Sequence, residues 1–298
     1  MRVLVVGGSG LVGSHVLAEA KARGHVVTGT YRNFATPGLV PLDLGDAVAT
    51  RSLLDEVKPD WVVHAAGWTW VDGCEKDPAR AMRENCDQPA ILASLCQERG
   101  CRFAYFSTTY VFDGQSGPYS ETDQPNPVNV YARAKWAAEQ KIQEVLSGQA
   151  LIPRVICVWG LEAQQKNFVY QVIKALRDGR TMRLPSDQIG NPTWAGDIAW
   201  WLLSLMEEGE KGVWNLAGDE ENCTRVEWFC AIRDAARALG IVPRSQEAAY
   251  EAVSTRDLNQ PAPRPLHSGT KIDRILKIFL RRPRPPGDLA EIVRSVIN

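Results

Sequence analysis

Tyr131 and Lys135 stand four residues apart in Tyr131-Ala132-Arg133-Ala134-Lys135. On a helix that spacing places both side chains on one face. A free phenol has a pKa of about 10 and is a sluggish proton-transfer group at neutral pH. A neighbouring ammonium would stabilise the phenolate and lower that value. At about 4 Å and an effective dielectric near 20, one such charge is worth up to about 4 kcal/mol, enough to matter. The pair alone is a weak signal, because Tyr/Lys pairs at this spacing are frequent on helix surfaces. A hydroxyl would complete the set, and Ser107-Thr108-Thr109 follows the apolar run 103–106. A hydroxyl there can polarise a substrate carbonyl, although Ser and Thr at strand ends commonly serve only as turn formers.

Proton transfer of this kind needs a hydride partner, and the N-terminus offers a place for one. Gly7-Gly8-Ser9-Gly10-Leu11-Val12-Gly13 is a G-x-x-G-x-x-G loop directly after an apolar run. Gly7 permits a tight turn, Gly10 lets backbone approach a pyrophosphate, and Gly13 lets the following helix pack on the strand. The free N–H groups of Ser9, Gly10, Leu11 and Val12 would then face the phosphates with the positive end of the helix dipole. At the end of the second strand, Thr30-Tyr31-Arg32-Asn33 carries no carboxylate to bond a ribose 2′-hydroxyl. Arg32, beside Tyr31, therefore points to the 2′-phosphate of NADP, with NAD as the alternative. Asp43 and Leu44 stand where an adenine amino group could be met. Ala65-Ala66-Gly67 offers small residues where backbone must pass a cofactor, though a plain tight turn explains them nearly as well.

The elements that must hold these groups are legible as alternating strands and helices. Strands are expected over 2–6, 26–31, 61–65, 102–107 and 151–158, and helices over 13–23, 48–57, 77–99 and 130–146. Strands spaced by helices require crossover connections, so the sheet should be parallel and covered on both faces. The fold class is α/β, a Rossmann-type doubly wound parallel sheet with a smaller C-terminal α/β substrate domain. Residues 1–160 form the dinucleotide-binding domain, with about 186–208 returning to it, and 161–298 form the substrate domain. That second part should carry helices at 167–178, 197–208 and 225–239, a strand at 212–216, and a last helix from about Asp288. The basic run 281–286 reads as a solvated turn, because its prolines forbid helix. Trp61, Trp200, Trp201 and Trp228 read as core, whereas Trp68, Trp70, Trp159 and Trp194 are candidates for a cleft.

Composition narrows the class. In 298 residues, 34 Lys and Arg against 35 Asp and Glu leave a net charge of −1. Proteins held mainly by nucleic-acid phosphates carry a basic excess, so no nucleic-acid partner is expected. The seven cysteines include no C-x-x-C pair and read as scattered thiols in a reducing compartment. The longest apolar run, 198–206, is about half of a membrane-spanning length, so no membrane association and a cytosolic location are expected.

Taken together, the motifs resemble the extended short-chain dehydrogenase/reductase superfamily, and within it the dTDP-4-dehydrorhamnose reductase family, over nearly the whole chain. The resemblance is carried by the glycine loop, by Val71-Asp72 with Glu75, and by Asn85. It continues through Ser107-Thr108-Thr109-Tyr110-Val111-Phe112-Asp113-Gly114 and Pro127-Val128-Asn129-Val130-Tyr131 with Lys135. Asn167-Phe168, the run Asp187-Gln188-Ile189-Gly190-Asn191-Pro192-Thr193, and Arg264-Pro265 extend it. It implies NAD(P)H-dependent reduction of a nucleotide-linked 4-keto-6-deoxy sugar, with a homodimer as the candidate assembly. Tyr131 would protonate the sugar oxygen, Lys135 would hold the ribose hydroxyls, and Thr108 would bond the carbonyl. Val71, Asp72, Thr109 and Tyr110 would line the sugar pocket, and Arg264 would meet the nucleotide phosphates. Thr109 and Cys157 replace the family's aspartate and tryptophan, and the loop 67–70 is bulkier than expected. Ser14-His15 stands where some members hold magnesium with a glutamate, so no metal is expected. The rival classes are a non-catalytic cofactor-binding regulator, like the β subunit of methionine adenosyltransferase, and an epimerase or dehydratase of the same superfamily.

Overall fold

The computed structural model describes residues 1–219, 222–242, 250–289 and 292. The chain begins with β1 (Arg2–Val6), α1 (Leu11–Ala22), β2 (Val26–Tyr31), β3 (Val40–Pro41), α2 (Ala47–Val57) and β4 (Trp61–His64). Then follow α3 (Val71–Lys76), α4 (Pro78–Met82), α5 (Gln88–Arg99), β5 (Arg102–Tyr105), β6 (Ser107–Thr108), α6 (Val130–Val145) and β7 (Leu151–Val155). Next come β8 (Val158–Trp159), α7 (Phe168–Arg177), β9 (Met182–Pro185), β10 (Ile189–Gly190), β11 (Thr193–Trp194), α8 (Ala195–Glu207) and β12 (Gly212–Asn215). The remaining elements are β13 (Cys223–Thr224), α9 (Arg225–Ala238), β14 (Tyr250–Val253) and α10 (Asp273–Ile278).

Eight strands form one sheet in the order β12-β7-β5-β4-β1-β2-β3, with β6 beside β7. Every pairing within it is parallel. Such a sheet is covered on both faces, which is why its central strands are apolar without alternation. Val3, Val5 and Val63 pack on one face with Val16 of α1 and Ile198 and Leu202 of α8. Leu4, Val62 and Phe103 pack on the other face with Leu54 of α2, Leu92 of α5 and Ile142 of α6. Strand order reverses between β1 and β4, the switch point at which parallel sheets open a crevice beyond their carboxyl ends.

The expected helix over 77–99 is interrupted. α4 and α5 are joined by a π turn over Arg83–Asp87. Pro89 has no N–H to give the Asn85 carbonyl, and the Tyr105 hydroxyl donates to that oxygen instead at 2.8 Å. The expected strand over 151–158 is also broken. Cys157 takes a left-handed conformation (φ 46°), and the chain leaves the sheet to pair β8 with β11. A second core forms there around Trp159, Val169, Ile173, Leu184, Trp228 and Phe229. The chain returns to the sheet twice, with α8 against α1 and with β12 beside β7, so the return extends past 208.

Trp159 and Trp194, expected as cleft candidates, are buried in that second core with ring centroids 4.8 Å apart. The basic run is docked rather than simply solvated: Arg281 Nη2 lies 2.9 Å from the buried Asp197 carboxylate, and Arg284 N donates to the same group. The expected last helix falls largely on 290, 291 and 293–298, outside the described residues. Among the described residues none of the seven cysteines forms a disulfide. No helix among the described residues is long and apolar enough to cross a membrane.

Candidate active site

The glycine loop sits at the switch point. Gly7 (φ 89°) passes so close to the loop after β4 that a Cβ would lie 2.7 Å from Ala66 N, and a Cβ on Gly13 would lie 2.2 Å from Gly7 O. Both glycines are therefore required by the protein's own packing. Gly10 differs: a Cβ there would meet only Gly7 O, at 3.4 Å. Its lack of a side chain leaves the N-terminus of α1 open to a ligand.

A cavity of about 230 Å³ opens beside this loop. Gly7, Ser9, Gly10, Tyr31, Arg32, Leu44, Ala65, Ala66 and Gly67 line it, as expected of cofactor contacts. Leu11 and Val12 are not among the lining residues; they turn into the first turns of α1. Asp43 lies between the lining residues Leu42 and Leu44, its carboxylate accepting from Gly45 N at 2.9 Å. Arg32 donates to Glu84 at 3.0 Å, and Arg80 holds the other oxygen of Glu84 at 2.8 Å. Burial alone would raise the Glu84 carboxyl, but these two guanidinium groups outweigh it and hold it below its usual range.

Among the lining residues that sequence reasoning missed are His64, Glu84, Gln88 and Gln164. Glu84 and Gln88 arrive through the π turn, which periodicity does not reveal. Gln164 comes from a loop far along the chain and donates to Ser9 O at 3.4 Å. His64 did leave a signal, as a polar residue closing an otherwise apolar strand. Its imidazole is buried, and neither ring nitrogen has a partner in the described structure. Burial, aided by the charge on Lys135, lowers its pKa to about 3, so it is neutral at physiological pH.

Thr108, Tyr131 and Lys135 converge at the adjoining strand ends, all buried. Asn129 caps α6 by accepting from Ala132 N at 2.9 Å, and Glu75 accepts from Val130 N at 3.0 Å, fixing the helix start that carries Tyr131. The Thr108 hydroxyl accepts from Tyr110 N at 3.2 Å and is close enough to act on the Tyr131 phenol. Between β5 and β6 the ladder is interrupted at Phe106, and the freed carbonyl accepts from Lys135 Nζ at 2.6 Å. Lys135 also covers the Tyr105 ring at 4.2 Å, and Tyr105 lies 5.6 Å from His64, so the proton-transfer set and the dinucleotide cavity share a wall.

The electrostatics differ from the expectation of a phenol tuned by its neighbouring ammonium. Burial dominates at Tyr131, raising it above the ordinary phenol value, against the opposing influence of the Thr108 hydroxyl. Lys135 shares the helix face yet reaches down to the Phe106 carbonyl, and burial brings its pKa to about 7, with Glu139 resisting the fall. Glu139 itself is buried, held by Arg154 at 2.7 and 3.0 Å and by the Ser107 hydroxyl. That network ties β6 and β7 to α6 directly beneath the site.

On the side away from the glycine loop's cavity, Trp68, Val71 and Tyr110 pack around Tyr131 and Cys74. Asn85 holds the Trp68 backbone from both ends, accepting from its N–H at 2.9 Å and donating to its carbonyl at 3.0 Å. Thr109 is fully buried, and its hydroxyl has no partner among the described residues. Asp72 and Arg264, both expected to contact substrate, bond each other at 2.9 Å. The cleft beyond Tyr110 is lined instead by Cys157, Gly190 and Arg225. Where a magnesium glutamate was considered, His15 Nε2 lies 3.1 Å from Leu161 O. No cluster of three or more metal-ligating side chains occurs among the described residues.

This arrangement was compared with known proteins. The family model described as RmlD substrate binding domain matches residues 1–295. The chain is 34% identical over 275 residues to a dTDP-4-dehydrorhamnose reductase of Streptomyces griseus, covering 90% of this chain and 84% of that protein. It is 33% identical over 276 residues to the Haloferax volcanii protein named "Probable low-salt glycan biosynthesis reductase Agl14", covering 90% and 89%. Among solved structures, a dTDP-4-dehydrorhamnose reductase from Bacillus anthracis in complex with NADP superposes with a TM-score of 0.86 over 99% of each chain, at 23% identity.

Proposed function

From its membership of the RmlD substrate binding domain family, to which the chain belongs, we propose that it is an NADPH-dependent reductase of a nucleotide-linked 4-keto-6-deoxy sugar. The observation that carries this reading is the shared wall between the glycine-loop cavity and the buried Thr108–Tyr131–Lys135 set. The open face of Gly10 and the cavity beside it fit a dinucleotide, which Ser9, Gly10 and the small residues 65–67 would hold. Bound NADPH supplies the hydride. Arg32 keeps guanidinium donors beyond the one given to Glu84 and supports a 2′-phosphate at the cavity rim.

Thr108 orients the substrate carbonyl through its hydroxyl. Tyr131 then gives its proton to the sugar oxygen as that oxygen becomes an alkoxide. A buried phenol with a raised pKa keeps its proton until so strong a base develops beside it, which suits a donor better than a base. Lys135, anchored on Phe106, is placed to hold the ribose hydroxyls. We assign dinucleotide binding to 1–160 with the returning segments α8 and β12, and sugar-nucleotide binding mainly to the rest. The same reading carries a cytosolic homodimer with no nucleic-acid partner.

The test is NADPH oxidation against a panel of nucleotide-linked 4-ketosugars. Net oxidation separates a reductase from an epimerase or dehydratase, which recycles its cofactor. Tyr131→Phe should lower kcat at least a hundredfold with NADPH affinity retained. Near-normal turnover in that variant rejects the mechanism, and no turnover of any ketosugar by the wild type favours a binding role.

A further inference from the structure

Arg225 opens α9, and its position there is fixed by a reciprocal cap. Thr224 Oγ1 accepts from Glu227 N at 3.1 Å, and the Glu227 carboxylate accepts from Thr224 N at 2.7 Å. The guanidinium is packed against two rings, with Cζ 5.1 Å from the centroid of Phe168 and 5.2 Å from that of Trp228. Tyr110 lines the same cleft as Arg225. The antiparallel pair β10–β13 sets Gly190 opposite Cys223 beside it.

What this cation lacks is a counter-charge. Among the described residues no carboxylate forms an ion pair with it; the groups that act on it are Cys157, Tyr110 and Cys223. Burial raises the Cys157 thiol and the Tyr110 phenol above their ordinary values, so both are neutral at physiological pH. A half-buried guanidinium that faces a cleft with no carboxylate partner among the described residues is open to an anion from outside the protein. Arg264, by contrast, is already neutralised by Asp72 at 2.9 Å. The free volume of the cleft is about 10 Å³, room for one oxygen atom but not for a sugar ring.

We propose that Arg225, rather than Arg264, is the anion anchor of the substrate site, taking a phosphoryl oxygen of the nucleotide sugar's diphosphate in the cleft beside Tyr110, Cys157 and Gly190. This deepens the reading of the chain as a nucleotide-sugar reductase and rests on it. Tyr110 ties the two halves of the site together, because it lines the Arg225 cleft on one side and packs with Tyr131 on the other. A diphosphate held at Arg225 would thus present its sugar toward the proton donor.

The test uses dTDP, dTMP and thymidine as probes, titrated calorimetrically into the NADP-loaded protein. Wild type should bind dTDP at least tenfold more tightly than thymidine. Arg225→Gln should lose most of that preference, and Arg225→Lys should recover part of it, while NADP affinity in both variants confirms that the fold is intact. Absence of a dTDP preference in the wild type, or the same preference in Arg225→Gln, overturns the assignment. An anchor for a carboxylate on the sugar would also leave the dTDP preference unchanged, and so counts against it. Because the readout is binding, the outcome is separate from turnover. An Arg225-dependent dTDP preference without ketosugar reduction sinks the proposed function alone, and ketosugar reduction without that preference sinks the anchor alone.

Discussion

His64 shows how far a single residue can depart from its ordinary chemistry. Its imidazole has no hydrogen-bond partner and is neutral down to about pH 3, against about 6.5 for an exposed histidine. The unfolded chain takes up this proton as pH falls below about 6.5, while the folded chain resists until about 3. Stability is therefore complete above that window and declines through it on acidification, by up to a few kcal/mol. Urea denaturation between pH 7 and 4 should show a steeper loss for wild type than for His64→Met, and parallel slopes would reject the assignment. Arg32 is the second residue whose effect can be isolated. Arg32→Ala should cut the ratio of kcat/KM for NADPH over NADH at least tenfold, and an unchanged ratio would show that the 2′-phosphate is met elsewhere. At this scale the sequence was most informative where chemistry depends on spacing, as for Tyr131 and Lys135. It was least informative where a side chain's partner is distant. Nothing local to Asp72 or Arg264 announces that they neutralise each other across 192 positions, and nothing near Arg225 announces that it lines a cleft with Tyr110 and Cys157.

The elements explain why some glycines are structural and one is functional. A Cβ at Gly13 would sit 2.2 Å from backbone that cannot yield, whereas one at Gly10 would find only a contact at 3.4 Å. Gly13→Ala should therefore lower the melting temperature by several degrees or prevent folding. Gly10→Ala should melt near wild type yet bind NADPH at least tenfold more weakly. Thermal melts and cofactor titration of the two variants check this, and equal losses of stability would refute the distinction. Strands and helices of the first half were legible because burial on two faces demands apolar runs, and helices alternate with them. The interruptions were not. Pro89 was visible, but a π turn in place of a simple kink requires the Tyr105 hydroxyl, supplied by a strand that follows. The break at Phe106 that frees a carbonyl for Lys135 leaves no mark in composition either.

Across the molecule, two asparagines bind separated segments together. Asn191 donates to Gly218 O at 2.7 Å and accepts from Thr270 N at 2.8 Å, and Asn215 donates to the carbonyls of Tyr119 and Lys271. The Rossmann-type organisation was readable from the alternation of elements alone. The return of β12 to the sheet was not, because four short residues carry no signature of which sheet they join. That return has a testable outcome: the fragment 1–160 lacks the cover that Ile198, Leu202 and Leu205 give to α1 and β1. It should be aggregation-prone and show no cooperative melt, and a monomeric fragment with a sharp transition would contradict this.

The same strand order has a temporal side. On a ribosome, β7 emerges long before β12, its neighbour at the edge of the sheet. Until residues past 215 have been made, the nascent chain presents a row of unpaired backbone donors and acceptors at that edge, together with a bare apolar helix flank. Such a chain has reason to be escorted by chaperones during translation, and slow codons between the two strands would lengthen its most vulnerable interval.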